Sequence, residues 1–215
     1  MNAGPPPPSA WATSPLLIVI SAPSGGGKTT LCQQLLASHP EMTRAITCTT
    51  RPPRPGEVDG QDYYFIDELE FSRRIAAESF LEHALVFGQR YGTPKPEVLD
   101  KLRQGQDVLL NIDVQGAATV CARAAADADL RDALVTVFLT PATVRELEGR
   151  LRRRGADGPA QLEKRLGAAR HEIGQWTKFQ YLILSTSIAE DLRRMEAIID
   201  AERMSVGRAK FTIGD

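Results

Sequence analysis

The sequence predicts an α/β fold in which a parallel sheet core is flanked by helices, with one β-rich insertion and one helical lid. Three observations carry this expectation. Apolar runs of strand length at Leu16–Ile20, Val108–Asp113, Leu134–Thr140 and Tyr181–Thr186 alternate with helical patterns of about ten residues or more, the rhythm of a parallel sheet covered on both faces. The first run turns directly into a glycine loop, Ser21 to Gly27, and then into a helical pattern from Lys28. From about Arg44 to Thr93 that rhythm gives way to short strand-like segments and a proline-rich turn, which marks an insertion.

Taken in order, residues 1–15 carry Pro5 to Pro8 and a lone Trp11 and are expected to form a disordered tail. Leu16–Ile20 is apolar and mostly branched, the mark of a strand buried on both faces, and the helix from Lys28 places Leu31, Leu35 and Leu36 on one side. Arg44–Thr50 alternates weakly and reads as a strand. Arg51–Gly60, with three prolines and two glycines, reads as extended chain or loop. Asp62–Ile66 and Phe80–Phe87 are expected strands, with a short helix from about Asp67 to Ala77 between them and another over Pro94–Gln104. Helices then follow each remaining apolar run, through about Ala126, over Ala142–Arg154 and over about Ala189–Arg208. The expected organisation is a core of residues 16–43, 94–149 and 171–208, an insertion at 44–93, a lid at 150–170 and a short tail at 209–215.

Composition bounds the function. The chain of 215 residues is 42% hydrophobic and 25% charged with a net charge of −1, so no global field favours nucleic acid or an anionic membrane, and anion binding must be local. Three cysteines, Cys32, Cys48 and Cys121, are odd in number and lack metal-ligand spacing, which predicts free thiols in a reducing compartment. Prolines stand where a secretory signal would need an apolar stretch, and no run reaches membrane-spanning length, so a cytoplasmic protein is expected. The sequence sets no oligomeric state.

The strand, glycine loop and helix together make a P-loop. Ala22, Pro23, Ser24, Gly25, Gly26 and Gly27 would turn backbone N–H groups inward as a nest for phosphate oxygens, and the helix opening at Lys28, Thr29 and Thr30 adds its positive end. Lys28 can reach β- and γ-phosphates, and the Thr29 hydroxyl can coordinate Mg²⁺. The first glycine of the motif is Ala22 here.

Four further constellations carry charge to places where chemistry could use it. In Arg51-Pro52-Pro53-Arg54, a polyproline II backbone would put both guanidiniums on one side, about 9 Å apart, suited to one phosphate group; a solvated basic turn would carry the same residues. Glu82 shares a strand face with Phe80, Ala84 and Val86, where a carboxylate could accept the N1–H and N2–H of a guanine, a donor pair that adenine lacks; a surface residue of an edge strand is the alternative. On the helix after Thr140, Arg150 and Arg154 lie beside the apolar stripe of Val144, Leu147 and Leu151, while Arg152 points away; with Arg165 they could neutralise a phosphoryl group in transfer. A helix pair from Glu146 to Arg150 is the alternative. Asp113 ends its strand beside the P-loop, where it could orient Mg²⁺ through water or pair with Lys28.

These residues resemble those of the guanylate kinase family over roughly Leu16 to Arg208. The P-loop alone marks a nucleotide-binding class. More specific are Thr49-Thr50-Arg51-Pro52-Pro53-Arg54-Pro55-Gly56-Glu57, then Gly60-Gln61-Asp62-Tyr63, Phe80-Leu81-Glu82, Tyr91-Gly92-Thr93 and Ile112-Asp113-Val114-Gln115-Gly116, in the family's order. The resemblance implies that Arg51, Arg54 and Tyr63, helped by Tyr91, hold the phosphate of GMP, that Thr47 and Glu82 read guanine with Thr93 beside them, and that Arg150, Arg154 and Arg165 clamp the transferred group. It implies transfer of the γ-phosphoryl group of ATP to GMP, with dGMP as a further acceptor, and Mg²⁺ accompanying ATP. Asn111 stands at a base-side position where many members are acidic, Pro94 replaces a common serine, and Ser185-Thr186-Ser187 replaces an Asn-Asp-Asp stretch on the adenine side. Two other readings share parts of this pattern: a non-catalytic phosphopeptide-binding module of related fold, and a P-loop kinase for another phosphorylated small molecule. The intact Gly27-Lys28-Thr29 and arginine lid argue against the first, and the Thr47–Glu82 pair against the second.

Overall fold

The computed structural model describes residues 11–153 and 159–211. Its elements in chain order are β1 (Trp11–Thr13), β2 (Leu17–Ser21), α1 (Lys28–Ser38), β3 (Thr43–Arg44), β4 (Cys48–Thr49), β5 (Tyr64–Phe65), α2 (Glu68–Ala76), β6 (Phe80–Val86), β7 (Gln89–Pro94) and α3 (Pro96–Arg103). They continue with β8 (Val108–Asn111), α4 (Val114–Ala126), α5 (Ala128–Ala133), β9 (Leu134–Pro141), α6 (Val144–Arg153), α7 (Pro159–Ile173), β10 (Tyr181–Ser185), α8 (Ile188–Arg203) and β11 (Ala209–Phe211), with one 3₁₀ turn at Trp176–Lys178.

Five strands form the expected parallel sheet, in the order β10-β9-β2-β8-β3. β2 is central and completely buried, which is why its sequence is apolar from Leu17 through Ile20 rather than at alternate positions. Its side chains divide by pleat. Leu16, Ile18 and Ile20 pack with Leu31 and Leu35 of α1 and Met195 and Ile199 of α8; Leu17 and Val19 pack with Val98 of α3, Ala117 and Val120 of α4 and Leu130 of α5. The two apolar layers fix the sheet between helices, and the carboxyl ends of β2, β8, β9 and β10 open on one edge. Ligands bind at that edge in open α/β sheets.

The insertion forms a second sheet, β5-β4-β7-β6, mixed in direction, with α2 packed on it through Phe71, Phe80 and Cys48. The single strand expected over Arg44–Thr50 is two: β3 completes the parallel sheet and β4 opens the second one, so the chain crosses between sheets at Ala45–Thr47. β7 carries no sequence signal, because Gln89–Pro94 is polar and holds Gly92 and Pro94; its pairing on both sides with β4 and β6 makes the strand. Gly92 has a packing reason to be glycine: a Cβ there would lie 3.0 Å from Phe71 and from Phe80.

The termini differ from expectation. β1 and β11 pair antiparallel, Trp11 opposite Phe211, so structure begins before Leu16 and extends past Arg208, within segments expected to be tails. Residues 1–10 and 212–215 lie outside the described residues.

Candidate active site

The glycine loop follows β2 at the carboxyl edge. Gly25 and Gly27 have φ of +85° and +101°, the left-handed region that glycine enters without penalty, and Gly26 donates its N–H to the Pro23 carbonyl at 2.8 Å. Gly27 caps α1 without a side-chain acceptor, so the first N–H groups of the helix are free to meet an anion. A Cβ on Gly26 would come within 2.9 Å of both the Ala22 methyl and the Pro23 carbonyl oxygen, so residue 26 has no room for a side chain. The lid supports the loop from above: a Cβ on Gly25 would meet Leu151 of α6 at 2.9 Å.

Lys28, at the start of α1, is half-buried and donates from Nζ to the Ile112 carbonyl at 2.7 Å. Burial lowers its pKa from the usual lysine value, while Cys32, Asp113, Glu172 and Glu82 work the other way. With Thr29 it lines a cavity of about 210 Å³ that also brings together Thr47, Tyr63, Glu82, Tyr91, Asn111 and Asp113. Eight residues singled out from the sequence, from α1, from the end of β8 and from in and beside the strands of the second sheet, thus face one space.

Glu82 forms part of the wall of that cavity. It is 1% exposed, and its Oε1 accepts from the Thr93 N–H at 3.1 Å and the Thr93 hydroxyl at 2.5 Å. Thr47 Oγ1 lies 3.5 Å from that hydroxyl. Burial pushes the Glu82 carboxyl up to about 7; the Thr93 bonds and Lys28 oppose this, and Asp113 adds to it. The carboxylate reaches this position only because residue 116 of α4 is glycine: a Cβ there would stand 2.6 Å from Glu82 Oε2. Asp113 caps α4, accepting from the Gly116 N–H at 2.9 Å and from Gln115 Nε2 at 3.0 Å, rather than pairing with Lys28.

The arginine pair takes a different form from the one expected. Arg51 is buried and its fork closes on Glu57, with N–O distances of 2.7 and 2.6 Å, while its guanidinium stacks 4.9 Å from the Tyr63 ring centre. Glu57 also accepts from the Arg54 backbone N–H at 2.7 Å, and the Arg51 fork draws the Glu57 carboxyl down to about 2. The Arg54 side chain is exposed. The segment is therefore a folded turn built on Glu57, with Arg51 leaning on the cavity wall at Tyr63, rather than a rod presenting two arginines side by side.

A second cavity, of about 490 Å³, lies on the other side of the loop, lined by Gly25, Gly27, Thr30, Arg150, Ser185, Thr186, Ser187 and Asp191 among others. Arg150 faces inward, as the helical spacing predicts, donating to the Gly26 carbonyl at 3.3 Å and to Ser185 Oγ at 3.1 Å; Arg152 is exposed and pairs with Glu148. The hydroxyl run has local duties. Ser185 donates to the buried Asp191 at 2.6 Å, and Ser187 caps α8 by accepting from the Glu190 N–H. Arg165 lines neither cavity; its guanidinium stands over the Phe87 ring. Arg154 lies outside the described residues.

Sequence reasoning missed three residues of the site. Glu57 and Gly116 sit within quoted motifs but reveal their partners only in three dimensions. Glu172 of α7 accepts from the Ser24 N–H of the glycine loop at 3.1 Å across 148 residues of chain, and burial raises its pKa above the ordinary carboxylate range. No local pattern could have announced it.

Comparison with known proteins identifies the family. The guanylate kinase family model matches residues 14–202. The chain is 43% identical to the guanylate kinase of Maricaulis maris over 82% of its own length and 78% of that protein. It is 42% identical to that of Clostridium perfringens strain 13, over 85% and 82%. The crystal structure of guanylate kinase from Anaplasma phagocytophilum superposes with a TM-score of 0.75 at 31% identity, covering 94% of this chain and 93% of that one. The chain belongs to the guanylate kinase family.

Proposed function

We infer that the protein transfers the γ-phosphoryl group of ATP to GMP, giving ADP and GDP, and accepts dGMP as well. The observation that carries this reading is that one cavity is lined both by Glu82, a buried carboxylate held by Thr93 and suited to reading a base, and by Lys28, suited to binding phosphate. In this reading GMP occupies that cavity, guanine toward Glu82, Thr47 and Thr93, phosphate toward Tyr63, Tyr91, Arg51 and Arg54. ATP lies along the glycine loop with its base toward Ser185–Ser187.

The acceptor is a phosphate oxygen already largely ionised at neutral pH, the second pKa of a phosphate ester being about 6, so no general base is required. Catalysis consists of aligning two anions and cancelling their repulsion. The loop N–H groups and Lys28 hold the ATP phosphates. Arg150, on the Gly26 carbonyl, is placed to receive negative charge as the γ-phosphoryl group moves, with Arg154 and Arg165 completing the clamp. Thr29 and Asp113 present two hard oxygen donors to the same cavity, and a site of that kind suits Mg²⁺, which keeps water and substrate phosphates as its other ligands. Bound there with ATP, Mg²⁺ would offset phosphate charge.

The test is an ADP-release assay with ATP, Mg²⁺ and each of GMP, dGMP, AMP, CMP and UMP. Turnover confined to the guanine nucleotides is expected. Turnover with AMP or UMP would remove the base-reading role of Glu82, and ATP binding without turnover on any of them would favour a binding module.

A further inference from the structure

α3 belongs to the parallel core, since Val98 is completely buried in the apolar cluster of Leu17, Val19 and Val108. Glu97, the residue before it, turns its carboxylate away from solvent; the side chain is 15% exposed. Three donors meet it. Oε2 accepts from the Ile46 N–H at 3.0 Å and from Lys101 Nζ at 2.7 Å, and Oε1 accepts from the Tyr64 hydroxyl at 2.7 Å. Lys101, one turn further along the same face of α3, also donates to the Arg44 carbonyl at 3.0 Å.

Two of those donors belong to the insertion side. Ile46 stands in the crossing between the two sheets, and Tyr64 is in β5. The Tyr64 ring packs on the cluster of Cys48, Phe71 and Phe80, while its hydroxyl leaves that cluster for α3. A ring alone would complete the packing, so the hydroxyl serves the contact with Glu97.

The immediate neighbours of both donors line the cavity assigned to GMP: Thr47 follows Ile46, and Tyr63 precedes Tyr64. The Tyr64 N–H donates to the Thr47 carbonyl at 3.0 Å, which joins the two stretches. Arg44 holds the chain before Tyr63, donating to the Gln61 carbonyl at 2.9 Å and to the Asp62 carbonyl. Tyr63 is thus bracketed, its predecessor tied to Arg44 and its successor to Glu97. None of these residues lines the second cavity, on the other side of the glycine loop.

We propose that Glu97 is a positioning residue for GMP: from the core helix α3 it fixes the crossing and β5, and so sets Thr47 on the base side and Tyr63 on the phosphate side at the spacing the nucleotide needs. Burial works against the ionised Glu97 carboxyl, but its Lys101, Ile46 and Tyr64 donors draw its pKa below the ordinary carboxylate value, so the charge that gathers them persists at neutral pH. The proposal rests on the assignment of GMP to that cavity, and the test separates the two.

Steady-state kinetics with ATP and GMP, with calorimetry of GMP binding, provide it. Glu97→Ala is expected to raise KM and Kd for GMP about tenfold, the worth of the lost hydrogen bonds, with KM for ATP within about twofold. Glu97→Gln should restore most of the GMP affinity, because its oxygen can accept from Ile46 and its amide can donate to the Tyr64 hydroxyl. Tyr64→Phe keeps the packed ring and should raise KM for GMP about threefold, yet add nothing in the Glu97→Ala background. Unchanged GMP affinity in Glu97→Ala overturns the proposal. So does a proportional rise in KM for ATP, equal losses in the Ala and Gln variants, or an undiminished effect of Tyr64→Phe in the Glu97→Ala background. If Glu97→Ala does not fold, Tyr64→Phe decides alone, and a parental KM for GMP there overturns the proposal. A parent protein that neither binds nor turns over GMP removes GMP from the cavity, and the proposal with it.

Discussion

Glu82 shows how one buried carboxylate can couple base recognition to pH. Its pKa is raised to about 7 by burial, so in the empty protein it carries a proton through much of the acidic range. A guanine edge that donates two N–H groups needs the ionised form. GMP affinity is therefore expected to rise with pH up to about 7 and then level off, with a tenfold loss per unit on the acid side. Titration calorimetry from pH 5 to 8 measures this. Glu82→Gln should abolish that segment, leaving only the phosphate's own step near pH 6, and weaken GMP binding at pH 8 by about 10–100-fold through an unmatched donor. The sign for stability is opposite. A carboxyl raised in the folded state contributes stability below its ordinary pKa that is lost as pH rises through 7, so the empty protein should lose stability over that interval and bound GMP should offset the loss. Gly116 belongs to the same unit. Gly116→Ala places a methyl 2.6 Å from Glu82 Oε2, and GMP binding should suffer more than ATP binding.

At the scale of elements, the glycine loop is held from both sides by the lid helices. Leu147 and Leu151 of α6 share an apolar cluster with Ala169 of α7, Leu151 covers Gly25, and Glu172 grips the Ser24 N–H. One consequence concerns charge. A carboxylate beside a phosphate site is repelled by the ligand it helps to frame, so its value must lie in the hydrogen bond that fixes the loop. Glu172→Gln keeps an acceptor for Ser24 and should retain ATP affinity or improve it, whereas Glu172→Ala should raise KM for ATP about three- to tenfold, the worth of one hydrogen bond to the loop. Equal effects of the two substitutions in steady-state kinetics would show that charge, not acceptance, is what α7 supplies.

At the scale of the whole molecule, the candidate site and the β1–β11 ribbon occupy opposite edges of the sheet. The site opens at the carboxyl end of β2, whereas β1 and β11 pair near its amino end, where Leu16 N–H donates to Asp107 and Arg208 holds the Leu134 carbonyl. A two-stranded ribbon of three residues each is a marginal structure on its own. Removing residues 1–13 should therefore leave kcat and both KM values within about twofold. The thermal midpoint should fall by about 2–4 °C for each kcal/mol of ribbon stability lost, by calorimetry or thermal shift. A large loss of activity would mean that the ribbon reaches the site through the sheet.

The parallel core was legible in the sequence because a strand buried on both faces must be almost wholly apolar, and Leu16–Ile20, Val108–Leu110 and Leu134–Leu139, where Thr136 is the one polar residue, have few other ways to satisfy water. The glycine loop was legible for a similar reason: the backbone turns at Gly25 and Gly27 restrict which residues can stand there. What the chain alone determined, then, is wherever a local constraint acts on a few consecutive residues. The tertiary structure decided the rest. β7 exists because two neighbours pair with it, Arg51 turns to Glu57 because a proline-rich segment folds back on itself, and Glu172 meets Ser24 because two elements 148 residues apart pack at one edge. Ion pairs and hydrogen bonds of that kind leave no periodicity, since their partners are chosen by packing and not by spacing.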